Sequence, residues 1–398
     1  MSIATIKNST PIQTLVNYFI VFTVFFPRGL FVFNQSYTIF TILTWTSVIL
    51  IIFILFKDRK TIHNQIKKHS LAKQLLIASS FFVYTLINTI LNKGNLSNGL
   101  QELIAYPIFF SYFLYSAKKD SKLLINNIIN IVTFLLVLNL ITMELFTSNH
   151  VHMLLTGHVQ TISQICIIGI LSIVYAMKKY NKSKLFSALS IITIFTNLFI
   201  ADASSAQITA IALLFFLLLS RTKLYTLINL SPRLLIILCL LSNLFIPMLS
   251  IYNNTNNHNE IELLDFSGRS FVWKDTTNKI LDNPITGYGV NGIEIDVFWN
   301  TWQKDIGSLF YTHNQLLQCL LDGGIISTIL FYAMMYICIR SFTLLSRTSR
   351  YRYLFSSTFI CYAMIMSVES PIIYPYIFIF LALLYTLPKE ASKRTVIE

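Results

Sequence analysis

Apolar residues run along this chain in blocks of about twenty, separated by short polar connections. A bilayer core about 30 Å thick needs roughly 20 mostly apolar residues per helix. The pattern predicts twelve membrane-spanning helices. The first six fall at about 13–33, 37–56, 71–91, 100–116, 123–145 and 159–177. The second six fall at about 185–201, 206–220, 234–251, 315–342, 353–367 and 372–388. Pro27 and Pro247 lie inside these blocks, where neighbouring helices re-satisfy freed backbone groups. One long interruption remains, residues 252–312. The expected organisation is 1–251 with nine spans, 252–312 as a large loop, and 313–398 with three spans and a tail. The fold class expected is all-α, a polytopic membrane protein.

Composition agrees. Of 398 residues, 55% are hydrophobic and 12% charged, against about 25% charged in soluble domains. Mean hydropathy is +0.64. A disordered chain, a fibrous protein and an ordinary soluble enzyme are excluded. The five cysteines (Cys166, Cys239, Cys319, Cys338, Cys361) sit in apolar runs without CxxC spacing, which predicts buried thiols and no zinc site. The polar start, Met1 to Thr10, leads straight into a long apolar block, so no cleaved signal peptide is expected.

The net charge of +13 raises the question of nucleic acid. The placement of the basic residues answers it. Most Lys and Arg fall in the connections at 57–73, 118–122, 178–184, 221–233 and 340–352 and at the two ends. On an alternating twelve-span path all of these lie on one side. Basic short loops mark the cytoplasmic side. Both termini are therefore expected in the cytoplasm, and no nucleic-acid partner is expected.

The 252–312 loop then faces the periplasm, and long ordered loops usually carry function. It is acidic and holds Trp273, Trp299 and Trp302. An Asn-rich tract, 253–257, reads as a flexible entry. Ser267 is a candidate helix cap, and Arg269 and Trp273 share a helix face at i, i+4. Asn283-Pro284-Ile285-Thr286-Gly287-Tyr288-Gly289 reads as a turn. Thr312-His313-Asn314-Gln315 opens the tenth span, with Asp322-Gly323-Gly324 less than three turns further on. Each has a plain reading beside the functional one. Arg269 is an anion ligand or a solvated arginine. The tryptophans are sugar-stacking surfaces or an interfacial belt. His313 is a base or a hydrogen-bonded boundary residue, and Gly323-Gly324 a site of close packing. His150, His152 and His158 share an outward loop without a matching carboxylate. Glu102, Glu144, Asp202 and Glu369 lie near outward span ends, where a carboxylate is tolerated.

The order of these elements is specific. Gly268-Arg269, Trp273 after three intervening residues, Asn-Pro-x-x-Gly-Tyr-Gly and His313-Asn314-x9-Gly324 resemble the O-antigen ligase and polymerase superfamily over about 267–328. Ser327 stands where the family pattern has a second Gly. The family's Ser-Arg at the outward end of a mid-chain helix is replaced by Ala201-Asp202-Ala203-Ser204-Ser205-Ala206-Gln207, without an arginine. Arg28, near the outward end of the first span, is a candidate substitute, or a boundary arginine that snorkels.

The resemblance implies an inner-membrane glycosyltransferase whose donor is a glycan on undecaprenyl diphosphate. It implies inversion at the anomeric carbon. Acceptors are a lipid-linked glycan or lipid A–core, membrane lipid surrounds both, and a chain-length regulator is a further partner. No Asp-x-Asp element appears, so metal-independent transfer without a cofactor is expected. Arg269 is the expected diphosphate ligand, and His313 the expected base. Asn314, Trp273, Tyr288 and Arg28 are the expected substrate-binding residues. The missing arginine favours the polymerase over the ligase. A transporter or flippase is the distant alternative, since no repeat and little midplane charge are found.

Overall fold

The computed structural model describes residues 11–60, 71–147, 153–201, 203–256, 269–297, 307–309 and 311–392. Its helices are α1 (Pro11–Val24), α2 (Asn34–Lys57), α3 (Leu71–Leu91), the short α4 (Leu96–Leu100) and α5 (Tyr106–Thr147). They continue as α6 (Thr161–Tyr180), α7 (Lys184–Ile200), α8 (Ser204–Leu219), α9 (Pro232–Asn256) and α10 (Arg269–Asp282). The last three are α11 (Gln315–Arg340), α12 (Arg350–Met366) and α13 (Tyr376–Ser392). Two-residue strands β1 (Met153–Leu154) and β2 (Gly157–His158) pair antiparallel. So do β3 (Ile295–Val297) and β4 (Gly307–Leu309), with Asp296 opposite Ser308. The chain is an all-α polytopic membrane protein.

Every apolar block predicted from the sequence holds helix. Among the described residues, five helical stretches are long and apolar enough to cross a membrane, by length and composition. One of them, Gln101–Phe146, runs through two predicted spans. Its helix bends at Asp120, whose φ and ψ are −151° and 82°. Asp120 Oδ1 accepts from Leu123 N at 3.0 Å and so restarts the helix. The first predicted span is shorter than expected. α1 ends at Val24, Pro27 lies beyond it, and Arg28–Val32 forms a 3-10 turn. α9 runs on to Asn256, so most of the Asn-rich tract is helix rather than a loose entry. Pro247 sits inside α9, as expected.

α6 and α13 form the centre. The α6 span is 83% buried, against 28% for α2, which turns an apolar flank outward. A helix apolar on all sides belongs in an interior, and a lipid-facing flank is no less apolar. Small polar groups join the helices inside. Asn17 donates to Ser116 at 2.9 Å, Asn139 to Asn197 at 2.8 Å, and Tyr362 to Gln164 at 3.0 Å. All five cysteines are free and buried.

Contacts between connections sort them into two ends. At one end Lys119 pairs with Asp58 at 2.6 Å, Ser121 meets Tyr180, and Lys179 donates to the Glu390 carbonyl. There too Lys178 donates to Arg350 O, and Arg352 to Leu230 O. These are the basic connections. The opposite end joins the Arg28 turn to the β1–β2 hairpin, α10 to the α12–α13 connection, and α3 to the 283–292 turn.

That turn has a definite task. α11 is broken at Gly323 and Gly324, and Gly324 has φ 62° and ψ −161°, a region essentially reserved for glycine. A break frees carbonyls, which need new donors. Tyr288 N donates to Leu321 O at 2.9 Å, and Gly289 N to Asp322 O at 2.8 Å. Asn88 Nδ2 donates to Asp322 O at 2.9 Å, and Tyr84 OH to Gly323 O at 3.0 Å. A Cβ on Gly287 would lie 2.4 Å from Leu321 O, and one on Gly324 2.1 Å from Ile285 O. Gly323-Gly324 is thus a helix break plugged by the Asn-Pro-x-x-Gly-Tyr-Gly turn, more than a place of close packing. Gly324→Ala is expected to destabilise the protein by at least about 2 kcal/mol, read as a lower thermal midpoint in detergent. An unchanged midpoint would contradict this account of the break.

Candidate active site

The chain approaches α11 through Tyr311, Thr312 and His313. His313 has φ +51°, a left-handed conformation that leaves helical geometry to start at the next residue. Asn314 is the N-cap, with φ −157° and ψ 129°. Its Oδ1 accepts from Leu317 N at 3.0 Å. Its Nδ2 donates to Asn243 O at 3.0 Å and Ser367 O at 2.9 Å. The side chain is fully buried. Asn314 therefore ties the start of α11 to α9 and to the end of α12. All of its side-chain polar atoms are engaged within the protein.

Trp273 is held inside the protein in the same way. It is 0% exposed, among Val272, Ile280, Ile295, Leu317 and Leu321. Its Nε1 donates to Thr312 O at 2.9 Å. A buried indole offers no face to a sugar, but it holds the residue before His313. Tyr288 packs on the same cluster, and its hydroxyl donates to Lys279 O at 2.8 Å. Its hydroxyl thereby braces the C-terminal turn of α10. Ser267, Gly268, Trp299 and Trp302 lie outside the described residues, as do Asp202, His150 and His152.

Arg269 and His313 are brought together by a third residue. Arg269 Nη2 donates to Glu369 Oε1 at 2.8 Å. His313 Nδ1 lies 3.3 Å from Glu369 Oε2. Arg269 is 9% exposed, His313 4% and Glu369 4%. Arg269 is thus no solvated loop arginine. Glu369 sits in the connection between α12 and α13. In the sequence it was only one of four boundary carboxylates. The one signal for it was its place beside Ser370-Pro371 at the end of an apolar block.

Opposing electrostatic effects set the charges of His313 and Glu369. Burial lowers the His313 pKa, the nearby Glu369 carboxylate raises it, and Arg269 lowers it; the net direction is down. The imidazole is neutral at pH 7. Burial raises the Glu369 pKa, while His313 and Arg269 lower it; the net direction is again down. Glu369 is ionised, so it accepts from His313 Nδ1–H and leaves the Nε2 lone pair open. The Tyr311 ring lies 4.3 Å from the imidazole. His158 is within electrostatic range of Glu369, so one histidine of the outward loop belongs near the site.

Arg28 stands on the flank. Its guanidinium lies over Tyr374 at 5.0 Å and Phe40 at 5.3 Å. Its Nη2 donates to Tyr106 OH at 3.3 Å, and that hydroxyl donates to Ile373 O. Tyr374 is within electrostatic range of Arg28, Tyr311 and Glu369, which makes it the link between flank and centre. A cavity of about 30 Å³ lies behind, lined by Glu102, Asp322, Thr85 and Cys319, with room for little more than water. Gln318 Nε2 donates to both Asp322 oxygens at 3.0 Å. Among the described residues, no three His, Cys, Asp or Glu side chains form a group fit for a metal ion.

Comparison with known proteins adds one finding. Residues 188–332 match the family model Wzy_C, described as O-antigen ligase. The matched region runs from α7 into α11 and contains Arg269 and His313, while Arg28 and Glu369 lie outside it. The match supports the O-antigen ligase/polymerase superfamily for this chain. No curated protein matches it.

Proposed function

We propose that this protein of the O-antigen ligase/polymerase superfamily is a membrane glycosyltransferase. Its donor is a glycan on undecaprenyl diphosphate, and it joins repeat units of a surface polysaccharide. The observation that carries this reading is Glu369, which holds Arg269 and His313 on its two oxygens. A base and a cation fixed on one carboxylate are what transfer from a lipid diphosphate requires.

His313 Nε2 takes the proton of the acceptor hydroxyl as its oxygen attacks the anomeric carbon. The bond from that carbon to the phosphate oxygen breaks on the opposite face, with inversion. The electron pair leaves on the diphosphate, and Arg269 stabilises the charge that gathers there. Burial keeps the imidazole neutral, and Glu369 holds it correctly turned. Trp273, Asn314 and Tyr288 hold the frame. The reaction needs no metal, so activity is expected to persist in EDTA, and its loss would count against this mechanism.

The basic end of the helices faces the cytoplasm, by the charge rule, with both termini there. The site then opens on the periplasmic side of the inner membrane, where lipid-linked glycans await transfer. Helices α1–α9 and α11–α13 form the frame, and α10 between them carries Arg269.

The acceptor decides between polymerase and ligase. The absence of an arginine at 201–207 favours the polymerase. A deletion strain is expected to carry single repeat units on its lipopolysaccharide. Bare core with accumulated lipid-linked polymer would establish the ligase instead.

The pH dependence follows from the site. Only neutral His313 accepts a proton, so the rate falls as pH drops through its pKa. That acid limb is expected below the unperturbed imidazole value of about 6.5. Glu369 raises the His313 pKa, so Glu369→Gln is expected to move the limb still lower while reducing the plateau. A limb that moves up would contradict the assignment.

A further inference from the structure

A small chamber sits against the break in α11. Glu102, Asp322, Ser327 and Thr85 line it among phenylalanine rings, and its volume is about 30 Å³. Asp322 is 8% exposed and Ser327 2%. A carboxylate held at such a depth needs a partner, and an ionisable group inside a membrane protein marks a site more often than not.

The charges can be followed residue by residue. Asp322 is the last helical residue before the break at Gly323. The C-terminal end of a helix carries partial negative charge, so the backbone adds to the carboxylate there. Gln318 Nε2 donates to both Asp322 oxygens, and no cation pairs with them among the described residues. Glu102 lies in a turn of π-helix, Gln101–Ala105. No hydrogen bond or ion pair reaches its carboxylate among the described residues. Asp322 and Arg28 are both within electrostatic range of it. Two carboxylates and one guanidinium leave a single negative charge.

The hydroxyls point to what cancels it. Ser327 lies in the chamber wall, and its hydroxyl has no hydrogen-bond partner among the described residues. Buried hydroxyls are normally satisfied, so this one meets something that fills the chamber. Thr85 Oγ1 donates to Phe81 O at 2.8 Å and keeps its lone pairs open. All the groups offered are oxygens, which suit a hard cation. Space for little more than one water excludes a hydrated or organic cation. A single residual charge suits a monovalent ion. Broken membrane helices are able to hold sodium at the end of a half-helix.

We propose that the chamber is a sodium site, in which Glu102, Asp322, Ser327 and Thr85 supply the oxygens. The ion closes the negative end of the first half of α11. Gln318, which bonds Asp322, also accepts from Thr312 N through Oε1 at 2.8 Å, and Thr312 precedes His313. Sodium therefore stiffens the helix break and, through Gln318, the approach to His313. The site stands apart from the glycosyltransferase reading, since binding needs no glycan.

The test is retention of radioactive sodium by the purified full chain in detergent, with EDTA present to remove divalent ions. Thermal midpoints are compared in sodium chloride and in choline chloride at equal ionic strength. Bound sodium and a higher midpoint in sodium chloride are expected. Asp322→Asn and Glu102→Gln should each lower retention about tenfold or more, since ligand charge sets the affinity of such sites. Each should also remove the difference between the two salts. Ser327→Ala, the mildest change, should weaken retention while the protein stays folded in choline chloride, which separates loss of the ion from loss of the fold. Absence of bound sodium, or equal midpoints in the two salts, would overturn the proposal, and the carboxylates would then share a proton. So would retention that survives both carboxylate variants, which is an adventitious ion only.

Discussion

Glu369→Ala is expected to destabilise the protein by about 3–5 kcal/mol and to abolish glycan transfer. The carboxylate is buried, and both oxygens are occupied. Its loss leaves Arg269 as a buried cation without its carboxylate partner and His313 without its acceptor. Removing one member of a buried pair is far more damaging than replacing both. Glu369→Leu combined with Arg269→Met is therefore expected to recover most of the stability and none of the activity. Thermal unfolding in detergent and glycan analysis in complemented cells read the two effects apart. A Glu369→Ala protein as stable and active as the parent would remove Glu369 from the centre of the site.

His313→Ala is expected to lower transfer by about 10²–10⁴-fold, the usual contribution of a positioned acid or base. The protein should still insert and fold. Asn314 supplies the N-cap of α11, so the helix start does not depend on the imidazole. His313 has a positive φ, which asparagine adopts more readily than alanine. His313→Asn keeps that backbone and removes the base. Equal loss in both variants assigns the effect to proton transfer. Wild-type activity in His313→Asn would show that the base lies elsewhere.

Much of the frame is legible in the sequence because lipid imposes one rule, an apolar block for each helix. The blocks at 100–116 and 123–145 gave the right helical residues but not the single bent element. The bend depends on Asp120, one polar residue in a polar connection. Arg269 and His313 are legible from their motif order. Glu369 is not, because what distinguishes it is its meeting with residues 100 and 56 positions away. Trp273, Tyr288 and Asn314 are readable as important, and the fold adds the carbonyls that each of them bonds. Aromatic and amide groups look alike in sequence whether they face a sugar or satisfy a carbonyl. The 283–292 turn shows the same limit. Its glycines mark a bend, yet only the fold reveals that they plug the break in α11.

The central claim is that His313, held by Glu369 beside Arg269, transfers a glycan from a lipid diphosphate. The most direct measurement is transfer by the purified protein, with an undecaprenyl-diphosphate-linked repeat unit as the only glycan supplied. Wild-type protein is predicted to form lipid-linked dimers and longer chains, and folded His313→Asn at most about 1% as much. Equal product from the two proteins would contradict the account.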